Sequence, residues 1–273
     1  MEQPTSPGTS PVELKDCIEE LVKFTLESHV NQNLGFNLGL SREFCSYLLK
    51  EDQNEHQPIS HTTAATDCSR QVLSQPLYKR LAEALFESII RGTLCATNKK
   101  AWTDDDNGLK QRSEWNELVL NEGTELVNIF KTVNFELHVQ EPFFTQLKDG
   151  RKTVEGRCAV GAYNRIGSGA SILLNKCVLL QVQVEVRRYA SFSEMLEAEV
   201  LAKVLPGVNT IDEGVRVYRK FYTEEKERSN GVLAICVAKS AAQPYISVAR
   251  ILSGLSKGGL ECLLGLPQLP RTF

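Results

Sequence analysis

Long hydrophobic runs are missing from this chain of 273 residues. Nowhere do about 18 apolar residues follow one another, the length that a membrane-crossing helix needs, so no membrane partner is expected. The opening Met1-Glu2-Gln3-Pro4-Thr5-Ser6-Pro7-Gly8 lacks the basic-then-apolar order of a secretory signal and the Arg-rich amphipathy of a transit peptide; residues 1–10 read as a disordered arm. Cys-x-x-Cys pairs are absent. The eight cysteines, at 17, 45, 68, 95, 158, 177, 236 and 262, are dispersed and read as free thiols of a reducing compartment. Asn-x-Ser/Thr acceptors are also absent, which fits an intracellular address, nucleus or cytoplasm. His56, His61 and Cys68 match no standard zinc spacing, and Asp104-Asp105-Asp106-Asn107-Gly108 lacks the alternating ligands and final Glu of a calcium loop. Gly167-Ser168-Gly169 lacks the Lys-Ser/Thr of a phosphate loop and precedes a strand. No Gly-x-Ser-x-Gly elbow occurs, and His138 has no evident nucleophile beside it. No metal and no cofactor is therefore expected.

What the chain does contain is enough apolar material, 42%, to bury a sizeable core in one or two domains. Its net charge of −3 hides an asymmetry. Residues 1–132 carry 13 basic and 20 acidic side chains, whereas residues 133–273 carry 18 and 14. Between 148 and 188, eight basic residues stand against three acidic ones. Such a division fits a nucleic-acid surface beside an acidic module, or two domains that attract each other. The pI near 5.9 argues against strong nonspecific duplex binding, which needs many neutralised phosphates.

The first half has a helical period. Ser10-Pro11-Val12-Glu13 forms a capping box ahead of the stripe Leu14, Cys17, Ile18, Leu21, Val22, Leu26. A second helix is expected after Ser41, a third from Pro76, and a fourth from Ser113-Glu114-Trp115, with polar loops over 51–70 and 97–112. Asp104–Gly108 reads as a solvated turn. Four amphipathic helices suggest a bundle over 11–132, which could also receive a protein partner. The second half changes to a strand period. Residues 134–140 alternate, a short helix follows Pro142, and Val178 to Val186 reads as one long strand. Its exit, Arg187-Arg188-Tyr189, joins two cations to an aromatic ring. Ser191-x-x-Glu194 opens another helix, a further helix is expected around 214–222, and a strand over 231–238. The tail over 241–273 reads as an amphipathic helix packing on the domain and broken at Gly258-Gly259.

The most informative stretch is Gly150-Arg151-Lys152-Thr153-Val154-Glu155-Gly156-Arg157. Glycine allows a sharp exit from a helix, and the β-branched pair then favours a strand. Strand alternation puts Thr153, Glu155 and Arg157 on one face and Lys152 with Val154 on the other, Lys152 being close enough to the turn to swing. Two readings are open: a polar pocket, or an edge strand with a solvated charged face.

The order of these segments resembles the ASCH family, whose signature Gly-x-Lys-x-x-Glu-x-Arg is matched at Gly150, Lys152, Glu155 and Arg157. The resemblance covers about residues 134–240, and the whole chain is most similar to plant ASCH-domain proteins. It implies an α+β fold: a mainly helical N-terminal region over 11–132, a PUA-like β-barrel over 133–240 and a C-terminal helix. It also implies binding of single-stranded or modified RNA, or a nucleotide, in a cleft formed by Arg151, Lys152, Glu155, Arg157, Tyr163, Arg165, Arg187, Arg188 and Tyr189. Tyr163 or Tyr189 would stack on a base. A bacterial branch of the family hydrolyses the acetyl amide of N4-acetylcytidine with a Lys and a Thr on this segment and a Glu from elsewhere. The corresponding alternative here is an amidohydrolase using Lys152, Thr153 and Glu155. Lys152 matches the family lysine, but Glu155 stands at the threonine position. Glu197, Glu199 and Glu213 are the neighbours by order for the distant carboxylate. Ala170 replaces the Asp that the family usually carries near the Gly167 turn.

Overall fold

Apolar side chains at helical spacing build the front of the protein, and β-branched runs build its middle. The computed structural model describes residues 12–50, 75–95 and 106–266. The arm over 1–10, the Ser10-Pro11 cap, the loop over 51–70 with His56, His61 and Cys68, and Asp104 and Asp105 lie outside the described residues. The chain divides into two units: residues up to Glu20 with Glu125–Ile246, and Leu21–Thr124 with the residues from Ser247 on.

Four helices lead the chain: α1 (Leu14–Val30), α2 (Arg42–Leu49), α3 (Leu77–Arg91) and α4 (Asp106–Lys131). The start of α2 and the end of α3 follow ordinary capping rules. The Ser41 hydroxyl accepts from the Phe44 amide at 3.1 Å, and Pro76 precedes α3, whose end is set by Gly92 in the left-handed region. α4 begins at Asp106, earlier than the apolar stripe suggests, so Asp106-Asn107-Gly108 is helix and not the anticipated turn. Asp106-Asn107-Gly108 holds no apolar residue, so no hydrophobic period marks this first turn. Leu21, Leu26, Leu48, Leu81 and Leu85 are among the buried residues of this helical unit.

The other unit is mixed. β1 (Phe135–Leu137), α5 (Phe143–Lys148) and β2 (Val154–Cys158) come first. A 3-10 helix (Gly161–Arg165), β3 (Ser171–Leu174), β4 (Val178–Val182) and β5 (Arg187–Tyr189) follow. Then come α6 (Phe192–Ala198), α7 (Leu201–Val204), α8 (Ile211–Arg219), α9 (Glu224–Asn230) and β6 (Val232–Lys239). The strands make one curled half-barrel sheet in the order β1-β3-β4-β6-β2, with β5 also on β6. β6 is central. It pairs antiparallel with β2 along Val232–Cys236, while β5 takes Val232–Ala234 and β4 takes Val237–Lys239. The expected long strand from Val178 to Val186 therefore ends at Val182. From there the chain steps along β6 from one pairing partner position to the next, and Gln183, Val184 and Glu185 are exposed.

One face of this sheet is closed by α6, α7 and α8 through Phe192, Met195, Leu196, Val204, Leu205 and Tyr218, packed on Val154, Cys158, Val232 and Ala234. Gly156 makes this possible. A Cβ there would lie 2.4 Å from the Tyr218 hydroxyl and 2.8 Å from Met195 Cε, so a side chain would push α8 off β2. The cap at Ser191 forms as its sequence suggests, accepting from the Glu194 amide at 3.1 Å. α9 carries only polar residues and shows no apolar period, which is why it is silent in the sequence. It is held by Thr223 as N-cap and by Glu227, which is buried, pairs with Arg219 and accepts from the Phe192 amide at 2.6 Å.

The chain closes with α10 (Pro244–Leu264), which kinks at Ser256 (φ 56°) and not at Gly258-Gly259. Gly259 instead serves close approach: a Cβ there would meet the Trp115 ring at 3.2 Å. Burial pushes the Cys17 thiol up to about 12 and those of Cys45 and Cys158 up to about 11, while Cys95 and Cys236 are half-buried. Among the described cysteines, alkylation of the native protein at pH 8 should label Cys95 and Cys236 before the others and leave Cys17, Cys45 and Cys158 unmodified until denaturant is added. Peptide mass spectrometry reads the order, and early labelling of Cys158 would contradict the packing described. Because these folded values are raised, the stability they support is complete below about pH 9 and is lost as pH climbs toward 11 and 12.

Candidate nucleic-acid interface

Gly150 turns the chain out of α5 with φ at 73°, and the Lys152 amide closes the turn on the Gln146 carbonyl at 3.0 Å. Thr153 is held on both sides: its amide donates to the Lys203 carbonyl, and its carbonyl accepts from Val237. β2 starts only at Val154, so strand alternation does not govern Lys152. Its side chain folds back and joins Glu155, the residue it was expected to oppose. Lys152 Nζ lies 3.1 Å from Glu155 Oε2 and donates to the carbonyls of Val154 (2.8 Å) and Val204 (2.5 Å). Glu155 continues the row. Its Oε1 lies 2.8 Å from Arg157 Nε, in ion-pair contact but out of line for a good hydrogen bond. Arg157 Nη2 donates to the His138 carbonyl at 3.0 Å, and its guanidinium stands 5.8 Å from the centre of the Tyr163 ring.

Lys152 is 2% exposed and Glu155 8%. Burial pushes the Lys152 ammonium below the ordinary lysine range, and the Glu155 carboxylate opposes that shift. Three acceptors surround Nζ, and only the ammonium has three protons to give them. Burial also works against the Glu155 carboxylate, but Lys152 and Arg157 together hold it below the ordinary value of 4.5. Arg157 is kept above the ordinary arginine range. Burial disfavours its cation, and Glu155 and the neighbouring Tyr222 more than compensate. A catalytic base at Lys152 would need a free lone pair, whereas this amine is saturated. Thr153 has no general base among these contacts. Glu199 is occupied by Arg187 and Tyr189, and Glu213 accepts from the Asn209 amide.

The other expected site residues divide between two places. Tyr163 and Arg165 sit on the 3-10 helix. Arg188 is exposed and donates to Asn164 Oδ1 at 2.9 Å, which ties β5 to that short helix. Tyr163 is 9% exposed, so its ring is covered in this state. Arg187 forks onto Glu199 with two contacts of 2.6 Å, and Tyr189 donates to the same carboxylate at 2.8 Å. This pair anchors β5 to the end of α6. Arg151 is exposed and reaches Asp149 at 3.4 Å. Sequence reasoning passed over Tyr218, Tyr222 and Lys226. Phe192 stacks on Tyr218 (centroids 4.1 Å) and on Tyr222 (5.4 Å), and Lys226 Nζ stands 5.7 Å from the Tyr222 ring centre. The Tyr218 hydroxyl is buried against Gly156 and makes no well-aligned hydrogen bond. The dense run Tyr218-Arg219-Lys220-Phe221-Tyr222 was the available signal.

The ASCH domain model matches residues 137–240, the stretch that holds β2, the 3-10 helix, β5 and α8. The protein belongs to the ASCH-domain family. Solved structures similar to part of the chain include two that are 40% identical. Hypothetical protein PH0355 is 40% identical, with a TM-score of 0.38 and matches over 39% of this chain and 98% of its own. Protein PF0455 from Pyrococcus furiosus is 40% identical, with a TM-score of 0.36 and matches over 40% of this chain and 98% of its own. No curated protein matches the chain. Among the described residues no helix is long and apolar enough to cross a membrane, and no group of three or more His, Cys, Asp and Glu could hold a metal ion.

The Lys152 pin carries a stability prediction. Lys152→Met leaves two carbonyls and half a carboxylate without donors in a buried place, which should cost about 3–5 kcal/mol in urea unfolding. Adding Glu155→Gln to that variant should restore part of the loss. A Lys152→Met protein as stable as wild type would show that the pair does not hold the segment. Since the folded value of Glu155 is lowered, its share of stability is complete above pH 4.5 and is lost as pH falls through the folded value. Glu155→Gln should flatten that acid limb.

Proposed function

We propose that this ASCH domain binds single-stranded RNA, gripping a nucleotide at the part of the Arg157 side chain, 14%, that stays exposed beside Tyr163 and Tyr222. One observation carries the reading. The row Lys152–Glu155–Arg157 starts fully buried and ends at a guanidinium ringed by aromatic side chains, with Arg165 and Arg188 on the adjoining short helix and strand. A fixed cation backed by a carboxylate is suited to pair with a phosphate or a base edge, because its partner inside the protein already sets its orientation. Exposed arginines beside it supply the salt-dependent part of the affinity, and half-buried Tyr222 offers an aromatic edge. Hydrolysis of an acylated base is the less favoured reading, since the Lys152 amine is saturated by Glu155 and two carbonyls.

The test uses the full chain, a fluorescein-labelled octauridylate and a titration of salt. The double variant Arg165→Glu/Arg188→Glu should bind at least tenfold more weakly, with the salt slope reduced by about 2. Both residues are exposed, so folding should be retained. Binding unchanged in affinity and slope, or none by the wild type, would refute the proposal. Release of acetate from N4-acetylcytidine by the wild type, abolished in Lys152→Ala, would replace it with the hydrolase reading.

A further inference from the structure

The corner between α8 and α9 lies outside the nine residues assigned to the cleft, yet it continues the same row. Aromatic rings and cations alternate along it: Tyr163 under Arg157, Arg157 in polar contact with Tyr222, and Tyr222 under Lys226. Tyr222 is fixed from below, since its amide bonds to the Tyr218 carbonyl at 2.9 Å and its ring stacks on the fully buried Phe192. The residue before it, Phe221, leaves its ring 44% exposed, and Lys220 and Lys226 on either side are exposed. A single exposed aromatic residue is common on protein surfaces. An exposed aromatic residue next in the chain to a ring of a fixed cation–aromatic row is a different case, because backbone adjacency keeps it within reach of a strand held at that row.

We infer that the α8–α9 corner is a second base-stacking subsite, in which Phe221 receives a nucleobase of the RNA strand next to the nucleotide held at Arg157. This rests on the RNA-binding reading above and narrows it: the ligand is a single strand of at least two nucleotides, not a lone nucleotide. Stacking is the chief contact at the corner. Across the corner, Arg219, Lys220 and Lys226 stand against Glu224, Glu225 and Glu227, which leaves little net charge for phosphate. The subsite therefore contributes an affinity that varies little with salt and little with base identity, since every base has a π-face. A single strand is favoured over a duplex, whose bases are stacked inside and offer no face to the ring.

The experiment compares wild type, Phe221→Ala and Arg165→Glu/Arg188→Glu for octauridylate and for uridine monophosphate as competitor, at two salt concentrations. Phe221→Ala should weaken octauridylate binding about tenfold at both salts and leave competition by uridine monophosphate unchanged. Phe221→Trp should keep the affinity and show quenching of its added fluorescence when octauridylate binds. If Phe221→Ala binds octauridylate like the wild type while the arginine variant does not, the corner is no subsite and the Arg157 site stands. If Phe221→Ala loses both ligands equally, Phe221 belongs to the first nucleotide's site and the two-base inference falls. If the wild type binds no RNA, both conclusions fall together.

Discussion

A buried ammonium holds this domain's candidate site in place. Lys152 is shut away from water, and its three protons go to the first residue of β2, to the last residue of α7 and to Glu155. Each of these would be left with an unmet acceptor if the lysine were absent, so the turn after Gly150, the helix at Val204 and the carboxylate at 155 are set by one group. Glu155 passes the constraint outward to Arg157. The outer cation is therefore positioned by an inner one, and a carboxylate between them keeps the two positive charges from repelling each other at close range.

The sheet makes the same row possible. β6 serves three partners at once, with β2 on one edge and β5 and β4 in succession on the other. Arg157 and Arg188 both lie opposite Leu233, one on each side of it, although 31 positions separate them in the chain. Gly156 between Glu155 and Arg157 leaves space for Tyr218, and through it α8 is brought against the strand. Of the residues that follow Tyr218, Phe221 then reaches the surface and half-buried Tyr222 comes beside the arginine. Close packing on one face of β2 thus decides which aromatic groups stand near the charges.

Much of the fold was legible in the residues. The helices of the front, the caps at Ser41 and Ser191, the hinge at Gly150 and the strand around 232–239 all carry local signals: apolar spacing, a hydroxyl ahead of a helix, a glycine needing positive φ. Elements without such signals were hidden. α9 has no apolar stripe because its burial comes through one carboxylate, Glu227. The early start of α4 was hidden because Asp106-Asn107-Gly108 carries no apolar period. Val178–Val186 alternates to its end, and only the stepping of partners along β6 stops the strand at Val182. The helix kinks at Ser256 and not at the suggested Gly258-Gly259 break, and Gly259 instead supplies room for the Trp115 ring.

The candidate site divides along the same line. Sequence alone determined which charged groups belong to the Gly150–Arg157 segment and that this segment is the ASCH signature, since residue types at fixed spacing are properties of the chain. Tertiary structure alone decided what those charges do. It turned Lys152 inward, committed Arg187 and Tyr189 to Glu199, covered Tyr163, and brought Tyr222 with Lys226 to the arginine. The reason is that the use of an ionised side chain depends on which partner desolvation forces on it. That partner comes from distant parts of the chain: Val204 for Lys152, the end of α6 for Arg187, and α8 for Arg157.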